Sequence, residues 1–309
     1  MKQGGAPPTG KWVGSPLGGV KAPEALILPD PATRFLASAV RLEALSAGHP
    51  MREWLGFMAE LSRAQHAAAT TLPPFAGPDQ DTVDQAVAAR MPPLAADAHH
   101  RDPAWRDGLD LLLASFDRDA LPPPAAAAIA SLGDRGADAV EALADRFLNG
   151  DVSPEDTGAT LFIAAALQVY FTRVAAGLSA PSLQLLAERG LCPCCGSTPV
   201  SGVVTASGQT PGTRYLYCSL CSNAWNHVRA VCISCGGSRT LSLKEIEGAP
   251  DAVKAETCDE CHTYAKVLYQ AKDMQVDPFA DDLATLGLDV LVAEAGWARH
   301  APNPLLLVG

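Results

Sequence analysis

Apolar residues recur every three to four positions through most of the chain before the first cysteine, which is the period of an amphipathic helix. The pattern is clearest at about 31–47 and 50–70, on either side of a Gly-His-Pro break. Further helices are predicted at about 80–90, 103–117, 123–132, 134–148, 155–178 and 181–189. Because the loops between them are short, this half of the chain is predicted to form a mostly antiparallel, all-α bundle.

The pattern changes at residue 192, where short β-branched and aromatic stretches replace the helical period. Such stretches are typical of short strands. They predict strands at 199–204, 213–217, 224–231 and 240–247. A helical pattern returns after residue 261 and is strongest at about 278–296, where Asp281 and Asp282 are expected to be structural carboxylates of a first helical turn.

These changes predict an α+β, multidomain fold. An all-α N-terminal helical domain is followed by tandem metal units of the rubredoxin-like or zinc-ribbon type and by a C-terminal helix. The predicted parts are a flexible N-terminal arm at 1–30, a helical bundle at 31–190, a first four-cysteine unit at 191–230, a second at 231–270, and a C-terminal helix and tail at 271–309.

All nine cysteines lie between residues 192 and 261, and eight of them form C-x-x-C pairs. The pairs are Cys192/Cys195, Cys218/Cys221, Cys232/Cys235 and Cys258/Cys261. The interval from Cys195 to Cys218 equals the interval from Cys235 to Cys258, whereas the link from the second pair to the third is less than half as long. The spacing therefore repeats, which indicates two copies of one supersecondary unit.

Paired thiolates at this spacing predict metal binding rather than disulfides. Two thiolates three positions apart on a tight turn can face one ion, and a second pair on a hairpin completes a tetrahedron around zinc or iron. We expect sequential pairing, with Cys192, Cys195, Cys218 and Cys221 in site 1 and Cys232, Cys235, Cys258 and Cys261 in site 2. The spacing favours structural zinc by frequency, but it leaves redox-active iron open.

Cys194 is the ninth cysteine and lies inside the first pair. We expect it to be a small side chain outside the tetrahedron, with an exposed reactive thiol as the alternative. His227, on the link between the two units, is predicted to make a surface or interdomain contact. Tyr170 and Arg173, on the longest predicted helix, are either core contacts or part of a partner-binding groove.

Charge argues against nucleic acid as the partner. The chain has a formal net charge of −11, and the 192–261 region holds five Lys or Arg against six Asp or Glu. Two four-thiolate sites filled with divalent ions would add about four further negative charges. Since such a surface repels phosphates, protein binding is favoured.

No membrane insertion and no catalytic site are expected. The run LFIAAALQVYF at 161–171 is too short to span a bilayer, and the first twenty residues lack the apolar core of a signal peptide. The sequence also shows no Ser/His/Asp set and no phosphate-binding glycine loop. We therefore expect a cytoplasmic, soluble protein that is not an enzyme.

Several stretches resemble one family closely. They are CPCCGS, GTRYLYCSLCSNAWNHVRAVCISCGG, CDECHTYAKVLYQ and DPFADDLATLGLDVLVAEAG, with ALILPDPATRF, HPMREWLGFMAELSRAQ and AAALQVYFTRVAAGL in the helical half. The family is that of the formate dehydrogenase accessory protein FdhE. The resemblance covers nearly the whole chain apart from the first twenty or so residues and the stretch around 71–150.

The resemblance implies a cytoplasmic factor needed for active respiratory formate dehydrogenase. It would bind the catalytic subunit before export by the twin-arginine pathway. It also implies iron, two per chain, in rubredoxin-like sites of possible redox role. Two alternatives remain open: a zinc-ribbon interaction adaptor with purely structural zinc, and a rubredoxin-type electron carrier in its own right.

Overall fold

The helices observed in the first half of the chain match those that the sequence periodicity predicts. A computed structural model describes residues 22–208, 210–301 and 303–306. Its helices in this half are α1 (Arg34–Ser46), α2 (Arg52–Thr71), α3 (Gln80–Ala88), α4 (Trp105–Ala114), α5 (Pro123–Gly133), α6 (Ala137–Leu148) and α7 (Thr157–Ala176). Each lies within a few residues of a predicted helix, so this part of the prediction is confirmed.

Helix α7 is the centre of the helical domain, and α2, α4, α5 and α6 all pack against it. Nearly all of its residues are buried, including Phe162 and Phe171. The stretch Pro154–Ala176 is apolar and long enough to cross a membrane. An 18-residue window within it has a mean hydropathy of 1.5, but 83% of that window is buried inside the protein. A helix that is apolar all round belongs in a core, and here the core is formed by its neighbours.

The prediction of a helix at 181–189 is wrong. Only a single 3-10 turn forms, at Ala180–Ser182, and the chain then runs irregularly to Cys192. This segment is tied down by tertiary contacts: the Trp225 indole N–H donates to the Arg189 carbonyl at 2.8 Å. Gly190 approaches the chain so closely that a Cβ there would lie 2.1 Å from the Ile233 oxygen. These contacts override a modest helical period.

Seven strands of the second half of the chain and one short strand near its start form one mixed sheet of eight described strands. They are β1 (Leu26–Ile27), β2 (Pro199–Val204), β3 (Arg214–Cys218), β4 (Ala224–Asn226), β5 (Leu241–Lys244), β6 (Val253–Cys258), β7 (Thr263–Tyr269) and β8 (Ala298–Arg299). The order is β1-β4-β3-β2-β7-β6-β5, with β8 beside β7. The parallel pair β2–β7, with Gly202 opposite Val267, joins the two cysteine units into one sheet.

The sequence pattern does not predict the long strands β6 and β7 or the two short strands β1 and β8. β6 and β7 contain Ala, Lys and Glu, which favour helices in isolation, but cross-strand pairing decides their structure. The predicted arm at 1–30 lies outside the described residues as far as residue 21. Beyond that it is not a free arm, because Leu26 pairs with Trp225 at the edge of the sheet.

The C-terminal helix predicted at 278–296 is two helices, α8 (Ala280–Ala284) and α9 (Leu286–Glu294). The break is at Thr285, whose backbone leaves the helical region and whose hydroxyl donates to the Asp281 carbonyl at 2.7 Å. A competing hydrogen bond of this kind interrupts a helix.

A buried charge cluster around Asp282 holds α8 against the sheet. The Asp282 carboxylate is fully buried and accepts from Arg299 at 2.5 Å and from Asn303 at 2.6 Å. The Lys266 ammonium on β7 lies 3.3 Å from the same carboxylate and donates to the Asp282 carbonyl at 2.8 Å. The carboxylate therefore has partners on both oxygens, which a buried charge requires.

The neighbouring carboxylate, Asp281, faces the helical domain instead. It accepts two hydrogen bonds from the Arg41 guanidinium of α1, at 2.9 and 2.7 Å, and Arg41 also reaches Asp273 at 2.6 Å. Asp281 and Asp282 thus have the structural role expected of them. Together they attach α8 to the helical domain on one side and to the sheet on the other.

We predict that Asp282→Asn lowers the free energy of unfolding by about 3 kcal/mol at pH 7, because Lys266 and Arg299 lose their fully buried carboxylate partner and retain only their pairs with Asp289. Burial acts to raise the pKa of Asp282, but Lys266 and Arg299 outweigh it and hold that pKa below its ordinary value. Stability from this group is thus present above about pH 4 and is lost as the pH falls through the lowered pKa. Urea unfolding should show the difference between wild type and variant shrinking below about pH 4.

The matched control is Asp119→Asn, at an exposed position of the helical half. Its unfolding curve should follow that of the wild type at every pH. A difference between Asp282→Asn and wild type that persists unchanged below the lowered pKa would contradict the assigned ion pairs.

Candidate metal centre

The cysteine turns repeat at a constant offset, so that Cys192 corresponds to Cys232 and Cys221 to Cys261. Gly196 follows the first pair of site 1 and Gly236 follows the first pair of site 2, and their φ angles are +77° and +74°. In each turn the glycine N–H donates back to the first cysteine carbonyl, at 2.8 Å to Cys192 and 3.0 Å to Cys232. Glycine is needed because the turn passes through the left-handed region.

The second pair of each unit ends in a similar turn, without a glycine. Ser222 follows Cys221 with φ of +60°, and His262 follows Cys261 with φ of +53°. Side chains other than glycine, asparagine or aspartate are uncommon in this region, and such strain is found where surrounding structure imposes it. The repeated positive φ shows that the two units share backbone geometry as well as spacing.

The sulfurs of site 1 come together as four. Cys192 Sγ lies 3.5 Å from Cys221 Sγ, and Cys195 Sγ lies 3.4 Å from Cys218 Sγ. All four sulfurs lie within 4.8 Å of one another. A tetrahedral ion with metal–sulfur bonds of about 2.3 Å would set its sulfurs about 3.8 Å apart, so the group fits a four-thiolate zinc or iron site.

The sulfurs of site 2 form the same arrangement with slightly longer spacing. Cys232 Sγ lies 3.7 Å from Cys261 Sγ, and Cys235 Sγ lies 3.8 Å from Cys258 Sγ. These four also lie within 4.8 Å of one another. The pairing is the sequential one that the spacing predicts, and two four-cysteine metal-binding clusters are present.

Backbone amides point at the sulfurs in both clusters. The donors are the N–H groups of Cys194 to Cys192, Leu220 to Cys218, Ser234 to Cys232 and Gly237 to Cys235, each at 3.4 Å. Such bonds stabilise thiolate over thiol and orient the ligand. The backbone of each turn is therefore organised around charged sulfur.

Burial of the four sulfurs makes a bound cation favourable at site 1. All four of its cysteines are at most 1% exposed. Burial raises the pKa of Cys218 and Cys221 well above the ordinary thiol value, and neighbouring sulfurs add to the effect. A bound cation reverses this, because it neutralises the thiolates and replaces the water that they lose.

Site 1 lies at the contact between the sheet and the helical domain. The loop after α3 pairs with the first cysteine turn: the Leu94 N–H donates to the Cys194 carbonyl and the Ala96 N–H to the Cys195 carbonyl, both at 2.9 Å. The turn is thereby held by backbone bonds from a separate part of the chain.

The second turn of site 1 is held by α7 and α1. The Gln168 amide donates to the Ser219 carbonyl at 2.8 Å, and the Thr172 hydroxyl lies 3.1 Å from the Ser222 hydroxyl. Arg34 also donates to the Ser222 hydroxyl, at 3.0 Å. Both halves of site 1 are thus anchored to the helical domain.

Site 2 is more open. Cys232 and Cys258 are buried, but Cys235 is exposed and Cys261 is partly exposed. The Thr263 hydroxyl, 3.1 Å from Cys261 Sγ, is a further polar contact of this cluster. The clusters share their ligands and turns but differ in their access to solvent.

Cys194 lies outside the group of four sulfurs and is fully buried. The alternative that it is an exposed reactive thiol is therefore wrong. Its carbonyl accepts the Leu94 N–H. The residue thus belongs to the contact between the first turn and the helical domain.

The predicted partner-binding residues do not lie on a common surface. Tyr170 is fully buried; its hydroxyl accepts from the Asp102 N–H at 2.9 Å and lies 2.9 Å from His99 Nε2. Of the two roles that the sequence leaves open for Tyr170, the structure shows the core contact. Arg173 is partly exposed; it donates to the Leu72 carbonyl at 2.8 Å.

His227 is also buried, so of its two predicted roles it has the one of a contact between units and not that of a surface contact. Its Nδ1 lies 2.7 Å from the guanidinium of Arg214, a side chain that is almost wholly buried. Burial and then the charge of Arg214 lower the pKa of His227 to about 4. The neutral ring therefore accepts a hydrogen bond from Arg214 at neutral pH.

Arg214 is the structural residue that the sequence analysis missed. Besides His227, its guanidinium donates to Glu256 on β6 and to the carbonyls of Val228 and Val231, each at 2.7 Å. It thus connects the first cysteine unit, the link and the second unit. In the sequence it stands in an ordinary alternating strand, so no local signal distinguishes it from a solvent-facing arginine.

Family models match three consecutive parts of the chain. They are described as FdhE, N-terminal, over residues 23–188; FdhE, central domain, over 191–229; and FdhE, C-terminal domain, over 230–306. Together they cover both cysteine clusters and the helical domain.

Curated relatives and a solved structure agree with these matches. The chain is 40% identical over 285 residues to a protein named FdhE homolog from Edwardsiella ictaluri, with 92% of each chain covered. It is 33% identical to the FdhE homolog of Rhizobium meliloti over 95% of this chain and 96% of that one. The crystal structure of FdhE from Pseudomonas aeruginosa superposes with a TM-score of 0.82 at 35% identity, covering 92% of this chain and 99% of that one.

We predict that Cys194→Ser keeps both metal ions, whereas Cys195→Ser loses one, because only Cys195 belongs to a group of four sulfurs. The measurement is metal per chain by elemental analysis of anaerobically purified protein. Equal loss from the two variants would overturn the assignment of site 1.

Proposed function

The chain belongs to the FdhE family of formate dehydrogenase accessory proteins, and we propose that it binds the catalytic subunit of a respiratory formate dehydrogenase before that subunit is exported. The observation that carries the proposal is the pair of four-cysteine clusters, built on one sheet and attached to a helical domain. The family is one of accessory proteins and not of enzymes, so the chain is expected to act on a protein. Binding before export places it in the cytoplasm.

We also propose that each cluster holds iron, giving two irons per chain. The four-thiolate sets fit iron and zinc equally in geometry, and the amide-to-sulfur bonds stabilise thiolates for either metal. Iron in such a site supplies one-electron redox chemistry, which zinc lacks. The eight cysteines hold and orient the ion, and the surrounding amides tune the charge on the sulfurs.

The domain division near residue 190 and near residue 230 is part of the same proposal. The family matches end at 188 and 229, which supports boundaries close to these positions. The parallel β2–β7 pair crosses the second boundary. The two cysteine units are therefore expected to fold together and not as independent modules.

We predict two irons per chain after anaerobic purification, with visible absorption from thiolate-to-iron charge transfer that bleaches on reduction. Elemental analysis and absorption spectra measure this directly. Two zinc ions per chain without a redox response would select the zinc-ribbon adaptor instead. A reversible potential with turnover of a donor, in the absence of any formate dehydrogenase, would select the independent electron carrier.

We predict that the tagged chain co-purifies with the formate dehydrogenase catalytic subunit from the cytoplasmic fraction. An exported metalloenzyme subunit from an unrelated pathway, expressed at a similar level, is the control and should not be retained. Equal retention of both, or of neither, would contradict the proposed partner. Metal content is measured in the same preparation, so that a failure of binding is separated from a failure of metal loading.

A further inference from the structure

The two clusters share ligands and turns, yet their surroundings differ. Site 1 is enclosed: its cysteines are at most 1% exposed, and both turns accept bonds from the helical domain. Opening it requires breaking the Leu94 and Ala96 backbone bonds and the contact from Gln168. The cost of opening a metal site is the cost of separating the structure around it.

Site 2 is open to solvent on the side of Cys235. Cys235 is exposed and lies in the wall of a cavity of about 720 Å³. The cavity lies between the irregular segment before Cys192 and the first turn of site 2, and Val228 and His300 also line it. A solute entering the cavity therefore meets a cysteine of site 2 with no movement of the sheet.

The cavity also contains an unpartnered polar group. Both ring nitrogens of His300 are buried, and neither has a hydrogen-bond partner among the described residues. Burial and then the charge of Arg299 lower the pKa of His300, so its ring is neutral at pH 7 and offers one donor and one acceptor. A buried polar group without a partner is costly, and an incoming polar molecule would satisfy it.

We propose that the clusters have different roles: site 1 is a structural metal site that joins the helical domain to the sheet, and site 2 is the exchangeable centre, reached through the cavity beside Cys235. The proposal deepens the proposed function, since it requires metal in both clusters. It does not depend on whether the metal is iron or zinc, nor on the identity of the partner.

The test uses the full-length chain loaded with two zinc ions and exposed to excess pyridylazoresorcinol, an anionic chelator whose colour reports zinc. In each exchange the ion passes to the chelator, each freed thiolate takes up a proton from water, and no electron moves. We expect one equivalent to leave faster than the other by about tenfold or more. Release of both equivalents at one rate would overturn the proposal.

Alkylation of the wild-type protein assigns the fast equivalent. Iodoacetamide added after the fast phase forms a carbon–sulfur bond with each freed thiol, with release of iodide and of the thiol proton to water, and peptide mass spectrometry identifies the modified cysteines. We expect Cys232, Cys235, Cys258 and Cys261, with the helical circular dichroism unchanged. Alkylation of site 1 first would overturn the proposal, and this readout does not depend on any variant that fails to fold.

Substitutions that place a charge at the cavity rim test whether the chelator reaches site 2 through this cavity. Val228 is 67% exposed and lines the cavity, whereas Val40 on α1 is 55% exposed and does not. Val228→Lys should speed, and Val228→Glu should slow, the fast phase with this anionic chelator by about two- to fivefold at low salt. The Val40→Lys and Val40→Glu controls should leave it unchanged. Equal effects at both positions would exclude the cavity as the route.

A zinc stoichiometry of two before the chelator is added is the starting condition. If only one ion binds, the two-site function itself fails. If two bind and leave together, only the division of roles fails.

Discussion

Four cysteine sulfurs enclosed within 4.8 Å of one another are stabilised as thiolates by a cation between them, and the contact of the helical domain with the sheet is built around that group. The thiolates repel each other and lose their hydration when they are buried. Site 1 sits where the loop after α3, helix α7 and the first part of the sheet converge. The same ion that neutralises the sulfurs therefore fixes how the helical domain meets the sheet.

The sequence predicts those features that local pattern determines. The repeated cysteine spacing indicates which cysteines group together, and the helical period locates α1, α2 and α7 within a few residues. The sequence does not predict features that depend on contacts between distant parts of the chain. β6 contains Lys, Ala and Glu, which favour helices, and it becomes a strand because β5 and β7 pair with it. Arg214 and His227 form a buried pair that no local sequence motif predicts.

The two cysteine units are copies related by a constant offset, and the fold makes them unequal. Each has a positive φ at the same positions, and each has the corresponding amide-to-sulfur bond at its first cysteine. The first copy faces the helical domain, and the second faces a cavity and solvent. The parallel β2–β7 pair then makes one sheet from two hairpin units that could each have closed on itself. The repeated spacing gives two similar sets of ligands, and packing distinguishes the two sites.

The contact between Arg41 and Asp281 spans 240 positions of the chain. Helix α1 is synthesised early, but Arg41 can meet Asp281 only after the 240 residues that follow it have been synthesised. At a synthesis rate of roughly 5–20 residues per second that interval is about 12 to 48 s. During that time Arg41 remains solvated and the surface of α1 that receives α8 is uncovered. The helical domain therefore lacks this contact until the segment around residue 281 has been synthesised.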